Sequence, residues 1–321
     1  MKTIISPLKE QLENEFNYYL NDFYTETFNE EHVYGYENLE EFENYLKTVD
    51  IDNLDIKWLA NASILHFDYA IFKNEQDKKE EALEHLSKSL QYGYLSLDYG
   101  SKACSCFKDK SPFIIQNKAV FIMSNLLLTN NIKEFEITAN HLIDSLNGKS
   151  CIIKKGYKDS SISWMILKLY SLFFDKEINL HEVLQPKLQS PFKEVIKNYN
   201  TTDVNEVEKL IYFLCDTHIS IAKENYEIHY EEQFGEERDY NGSKYKELFI
   251  VGLYQLPFEV FVWLKLRELK GLENPDLNNL HPLLNTNISQ LYLSLEKVDL
   301  DKNLIYANKL IEKLKSDYDL K

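Results

Sequence analysis

Helix-breaking residues are scarce in this chain: 9 glycines and 7 prolines are spread over 321 positions. With so few interruptions, and with apolar residues recurring mostly at three- and four-residue intervals, the pattern is that of helices rather than of strands and turns. Cysteine is scarce too. Cys104, Cys106, Cys151 and Cys215 form no CxxC pair and no framework spacing, which leaves reduced thiols of a cytoplasmic protein rather than disulfides or a zinc site. Basic residues are outnumbered, 36 against 52 acidic, for a formal net charge of −16. A nucleic-acid binder needs cations to displace phosphate counterions, and an anionic membrane surface asks for the same, so neither is expected as a direct partner. Long apolar runs are missing as well. The opening MKTIISPLKEQLENEF carries no stretch long enough for a signal peptide, and nowhere do ~18 uncharged apolar residues run together. A cytoplasmic location is therefore expected.

What is present is enough apolar residue, 44%, for a core. The spacing predicts an all-α chain with no substantial sheet, built of stacked helical hairpins in a tetratricopeptide-like solenoid or an irregular bundle. Helices are expected over residues 7–23, 39–47, 55–72, 80–92, 97–107, 113–128, 132–146, 160–174, 180–199, 203–232, 243–270 and 299–318. Ser111-Pro112 reads as a helix start and Asn147-Gly148 as a helix stop. Cys151-Ile152-Ile153 is a short β-branched run too isolated to build a sheet. EEALEHLSKSLQYGY resembles the second helix of a tetratricopeptide unit, although no strict period is kept. A boundary is placed where KKGYKDS intervenes, dividing a helical-hairpin region, residues 1–150, from a second helical region, residues 151–321; the same stretch also suits a loop within one continuous body.

Motifs of catalysis are absent: no phosphate-cradling glycine loop, no HExxH and no GxSxG. Eight histidines are scattered. His218 and His229 share a helix face but are eleven residues apart, ~16 Å along the axis, too far for one metal. His66, His85 and His141 lack the ExxH spacing of a di-metal bundle. No metal, no cofactor and no catalytic residue is expected, and the histidines read as structural or surface residues.

Charge and aromatic residues coincide twice. In KENYEIHYEEQFGEERDY, residues 223–240, Glu224, Glu227, Glu231, Glu232, Glu236, Glu237 and Asp239 surround Tyr226, Tyr230 and Phe234. Over residues 24–45, Glu26, Glu30, Glu31, Glu37, Glu40, Glu41 and Glu43 are interleaved with Phe28, Tyr34, Tyr36 and Phe42. A solvated helix end accounts for the charges. A partner surface accounts for the aromatics as well, since acidic groups steer a basic protein in and tyrosines supply rigid contact area at small entropic cost. The best candidates for partner binding are Tyr226, Tyr230, Glu231, Glu232, Glu236 and Glu237, followed by Tyr34, Tyr36, Glu40 and Glu41.

Glu259 poses a different question, because it stands inside the apolar run FEVFVWLKL. Helical spacing puts it on a face with Val262, Trp263 and Leu266, and a buried carboxylate without a partner costs several kcal/mol. Arg267 is two turns away, ~12 Å along the axis, so it cannot be that partner. Pro257 in the first turn suggests a helix start, where Glu259 would meet free amides and the helix dipole; backbone amides, a tyrosine hydroxyl, a cation from another helix and water at a cleft are the other options. Gly271 reads as a left-handed C-cap, and His281-Pro282 as an element folding Leu283 and Leu284 back onto the helix.

These residues also carry a resemblance. LPFEVFVWLKLRELKGLENPDLNNLHPLLNT, residues 256–286, resembles the C-terminal signature of the immunity protein 49 family of bacterial polymorphic-toxin immunity proteins, in which a Pro-x-Glu helix runs into a Leu-x-x-Arg-Glu-x-x-Gly-Leu turn and then a His-Pro-Leu element. The matching positions are Pro257, Glu259, Leu264, Arg267, Glu268, Gly271, Leu272, His281, Pro282 and Leu283, about a tenth of the chain; the ENPDLNNL linker is longer than the family's usual one. A related pattern belongs to the immunity family that protects against PD-(D/E)xK nuclease toxins. The resemblance implies a non-enzymatic cytoplasmic protein that binds and neutralises a cognate toxin domain, plausibly basic and nuclease-like, by covering its active or substrate-binding surface. Two other readings stay open: a tetratricopeptide-like scaffold holding a peptide or partner helix in a groove, and a helical enzyme in which Glu259, His281 and another histidine converge in a pocket.

Overall fold

The computed structural model describes residues 57–104, 114, 116–150, 152, 160–179, 186–234, 248 and 251–318. The chain falls into two compact units, Met1–Leu54 with Leu304–Lys313, and Asp55–Asn303 with Leu314–Lys321. In the first unit the described residues are Leu304–Lys313, where helix α10 (Ile305–Tyr318) runs. The helices expected at 7–23 and 39–47, and the helix start at Ser111-Pro112, lie outside the described residues.

The regular structure of the second unit is helical among the described residues. It comprises α1 (Lys57–Glu75), α2 (Lys79–Cys104), α3 (Gln116–Leu128), α4 (Ile132–Leu146), α5 (Ser161–Phe173), α6 (Phe192–Lys197), α7 (Val204–Phe234), α8 (Phe258–Leu269) and α9 (Asn287–Ser294), with short 3-10 turns at Val251–Gln255 and Pro282–Asn285. The all-α expectation holds. The Ile152 run contributes one backbone bond, Ile114 N–H to the Ile152 carbonyl at 3.0 Å, and no strand or sheet forms among the described residues.

Helix α3 is the axis. QNKAVFIMSNLLL is apolar around nearly its whole circumference, so it has no face to give to water, and all but Lys118 is buried. Accordingly α1, α2, α4, α5 and α8 all pack against it. Phe121 at its centre meets Phe67 of α1 edge-on at 4.6 Å and Phe258 of α8 at 5.8 Å. Two polar groups of α3 are spent internally, Ser124 on its own Val120 carbonyl and Asn125 as acceptor for the Tyr292 hydroxyl of α9 at 2.5 Å.

With glycine so scarce, helix ends are made largely by Asp and Asn. Asp77, Asn130 and Asp175 take left-handed backbone, as Gly148 and Gly271 do. Each sits just past a helix and closes it the same way, the following N–H reaching back five residues: Lys78 to Lys73, Asn131 to Leu126, Lys149 to Asp144, Lys176 to Ser171 and Leu272 to Arg267. Short Asp and Asn side chains tolerate this conformation better than other non-glycine residues. The three-residue links at 76–78 and 129–131 then fold α1 on α2 and α3 on α4 as hairpins.

Three expected boundaries are corrected. Residues 80–92 and 97–107 were expected as two helices, but α2 runs unbroken through Gly93. Of the helix expected at 180–199 only Phe192–Lys197 is helical among the described residues. The long segment expected over 243–270 is broken at Leu256-Pro257, where Pro257 had been read as a helix start, because proline lacks the N–H a continuing helix needs. Helix α9, Asn287–Ser294, was not anticipated.

Gly93 is explained by packing. A Cβ there would lie 2.7 Å from Ile122 Cγ2 of α3 and 2.7 Å from Ser63 Oγ of α1, so three helices meet at a point with room only for hydrogen. Beside it, Ser63 and Ser89 exchange hydroxyl-to-carbonyl bonds of 2.8 and 2.7 Å that hold the α1–α2 seam close. Gly93→Ala gains ~1 kcal/mol of helix propensity but overpacks the seam by ~2–3 kcal/mol. A net loss of about 1–2 kcal/mol is expected, read as a lowered urea midpoint with unchanged slope.

Candidate functional site

Between residues 255 and 286 the chain turns a corner, and Gln255, Glu259, Arg267 and His281 are buried in it. Leu256-Pro257 ends the 3-10 turn Val251–Gln255 and starts α8 with Pro257 as N-cap and Glu259 in the first turn. Glu259 is 0% exposed, but it does not bond the amides of the helix start. Its Oε1 lies 2.8 Å from Nδ1 of His218, itself 0% exposed, on α7. The other imidazole nitrogen, Nε2, lies 2.9 Å from the Leu253 carbonyl oxygen.

This geometry counts the protons. A carbonyl oxygen only accepts, so Nε2 carries a hydrogen and donates it to Leu253. Nδ1 and Oε1 at hydrogen-bond distance need a second hydrogen between them. The pair is thus imidazolium with carboxylate, or imidazole with carboxylic acid, neutral as a whole in either form. Burial disfavours a charged His218, but the Glu259 carboxylate and the backbone of Leu253 and Tyr254 outweigh it and raise its pKa above the ordinary histidine value. Glu259 Oε2, also sealed from solvent, has no hydrogen-bond partner.

Around the pair lie Cys215, Asp216 and His281. Cys215 is buried one turn before His218, and burial, then the charges of Glu259 and Asp216, push its thiol well above the usual range; it is a thiol, not a nucleophile. His281 is fixed as a tautomer: Nδ1 accepts from Leu283 N–H at 3.1 Å, so Nε2 carries the hydrogen and gives it to Asp216 Oδ1 at 3.2 Å. Burial holds its pKa below the ordinary value against the opposing pull of Asp216, and the nearby His218 adds to the lowering. The cap formed by His281 and Pro282 starts the turn Pro282–Asn285; Thr286 then donates its hydroxyl to the Gln255 carbonyl at 2.9 Å, and the Ser289 hydroxyl lies 2.9 Å from the Leu283 carbonyl and 3.3 Å from that of Gln255.

The far end of α8 is tied by the opposite charge. Arg267 is 0% exposed, yet no carboxylate meets it. Nη1 donates to the carbonyls of Thr201 at 2.9 Å and Tyr199 at 3.4 Å, Nη2 to Glu273 at 2.7 Å, and Nε to Asn274 Oδ1 at 3.0 Å. Its guanidinium lies over the Trp263 ring, whose own N–H also donates to the Tyr199 carbonyl. Gly271, at φ 69°, supplies the left-handed C-cap that lets the chain turn so that Glu273 and Asn274 face Arg267.

The structure therefore brings Glu259 and His281 to one corner but consumes them internally, together with His218, which the sequence offered only beside His229, and Asp216, which was not singled out. One signal marks His218: it continues the buried stripe Val207, Ile211, Leu214, Ala222, Asn225 of α7 at helical spacing. Among the candidate partner-binding residues, Tyr226, Tyr230, Glu231 and Glu232 fall in the last turns of α7, whereas Glu236, Glu237, Tyr34, Tyr36, Glu40 and Glu41 lie outside the described residues. Among the described residues no group of three or more potential ligands could hold a metal, and no helix is long and apolar enough to cross a membrane.

Comparison of the chain with family models, with curated proteins and with solved structures finds no match.

The Arg267 cage makes its own prediction. Arg267→Met fills the same space but strands the carbonyls of Thr201 and Glu273, while that of Tyr199 keeps the Trp263 N–H, each acceptor left unpaired costing ~1–3 kcal/mol. A loss of about 3–5 kcal/mol is expected from urea unfolding. Arg267→Lys, which has no planar fork, is expected to recover only part of that stability.

Proposed function

We propose that this chain is a non-enzymatic inhibitor of the immunity-protein kind. It binds a cognate antibacterial toxin domain in the cytoplasm and covers the active or substrate-binding surface of that domain. The observation that carries this reading is the coincidence of an acidic excess, net charge −16, with an aromatic-rich acidic stretch at residues 223–240, which begins on the 31-residue helix α7. A basic partner suits such a stretch. Nuclease toxins, whose substrate is a polyanion, belong to the class of proteins with basic active surfaces.

The resemblance over residues 256–286 supports the same reading, and the inward turn of its polar residues bears on where binding occurs. Glu259, Arg267 and His281 are committed to the fold. Recognition is then the work of the acidic, tyrosine-rich stretch, where acidic side chains set the rate of encounter and tyrosines set the lifetime of the complex.

Co-expression with a small basic domain, should one be encoded beside this chain's gene, tests the reading directly. The chain is expected to rescue growth and to co-purify with that domain; neither rescue nor binding would defeat it. Charge reversal at Glu231 and Glu232 is expected to slow association about tenfold at low salt and to flatten its salt dependence. Unchanged association kinetics would clear this stretch of the role.

A further inference from the structure

We propose that the His218–Glu259 pair is a proton-held latch: with its shared proton it fastens α7 to the 251–255 turn and to the start of α8, and on losing that proton it releases them. The inference stands on the geometry of the contact and does not depend on the function proposed above.

While the proton is present, the imidazole bridges two chain segments, donating to Glu259 Oε1 at 2.8 Å and to the Leu253 carbonyl at 2.9 Å. Without it, Nε2 keeps its hydrogen for Leu253 and Nδ1 presents a lone pair to a carboxylate oxygen. An unpaired anion is then left where both side chains are 0% exposed, and Glu259 Oε2 already lacks a donor. Such a charge costs several kcal/mol unless water or a cation reaches it.

No neighbouring group takes over. On α7, Asp216 is itself an acid, and Cys215 is held in its weakly donating thiol form. The nitrogens of His281 are committed to Leu283 N–H and to Asp216. Leu253 and its neighbour Tyr254 act on the imidazole through backbone carbonyls. The next cation along α8, Lys265, pairs with Glu268, and Arg267 is caged by Tyr199, Thr201, Glu273 and Asn274. On the other helices packed against α7 and α8, Lys118 bonds Asn61 and Lys168 lies over the Trp164 ring, while Lys193, Glu194 and Lys197 of α6 make no bond to the pair. Relief therefore comes from opening the turn to water.

The sign of the linkage follows. A histidine whose folded pKa is raised contributes stability that is complete below its unfolded value and is lost as pH rises through its folded value. The latch thus loosens on the alkaline side. The segments it frees are the 251–255 turn and the first turn of α8, and with them the Gln255 carbonyl that holds Thr286 and Ser289.

Native-state hydrogen exchange of the full chain between pH 6 and 9, corrected for the intrinsic pH dependence of exchange, reads this opening. For amides of residues 251–260 the opening constant is expected to rise up to tenfold per pH unit between the ordinary histidine pKa and that of the pair, one proton being released per opening. In Glu259→Gln, whose amide bonds a neutral imidazole, that slope is expected to vanish. Nuclear magnetic resonance of the His218 imidazole in the wild-type chain supplies a readout that needs no variant: the ring is expected to stay protonated beyond the ordinary histidine range. A flat wild-type profile, the same slope in Glu259→Gln, or a His218 that titrates at or below the ordinary value would overturn the latch.

Discussion

One buried hydrogen links a helix to a helix 41 residues away in sequence, and the arrangement of the second unit's later half depends on it. Glu259 cannot be sealed in an apolar setting without a donor, His218 cannot sit on the buried stripe of α7 without acceptors for its hydrogens, and each answers the other. The remaining nitrogen places the 251–255 turn through Leu253, and the next free carbonyl of that turn, Gln255, gathers the hydroxyls of Thr286 and Ser289. A buried pair of this kind contributes little net stability, since desolvation offsets most of the attraction. What it supplies is position: only one rotation of α8 and one height along α7 put Oε1 against Nδ1.

Helix α8 is held at both ends by opposite means. At its start a carboxylate is matched by an imidazole; at its end a guanidinium is matched by four neutral oxygens, three of them backbone carbonyls from loops that would otherwise carry unpaired acceptors into the interior. The cation is needed there because carbonyls only accept, and a fork with five N–H groups satisfies several at once. Between these ends the apolar face of α8 rests on α3, where Phe258 meets Phe121. Polar contacts fix the register, and the aromatic contact and the buried α3 provide the bulk of the stabilisation.

Periodicity made most helices legible, because an amphipathic stripe is a local property: 132–146 was read to the residue, and 55–72 and 203–232 within a few residues of their observed ends. The failures were non-local. Gly93 reads locally as a helix stop, but its cause lies in Ile122 and Ser63, contributed by two other helices. Glu259 was recognised as a carboxylate in need of a donor, and the local answer, the amides of its own helix start, was favoured over His218, which no local pattern connects to it. His281 was read rightly as the residue that starts a fold-back, but its bond to Asp216 joins residues 65 apart. Asp77, Asn130 and Asp175 did the work of absent glycines, a substitution that composition alone conceals.

The same contacts separate what holds the molecule together from what it offers to others. A general acid or base must come within hydrogen-bond reach of its substrate, and a nucleophile must be deprotonated and accessible. His218, Glu259 and Cys215, the nearest thing here to such a constellation, are each 0% exposed, and the thiol is held protonated. Their chemistry is directed at one another. Acidic residues outnumber basic ones, 52 to 36, and the stretch after Asn225 is one of two in which acidic and aromatic residues alternate densely. Asn225 itself accepts the Leu248 N–H at 2.8 Å, so the chain that leaves α7 returns to it there.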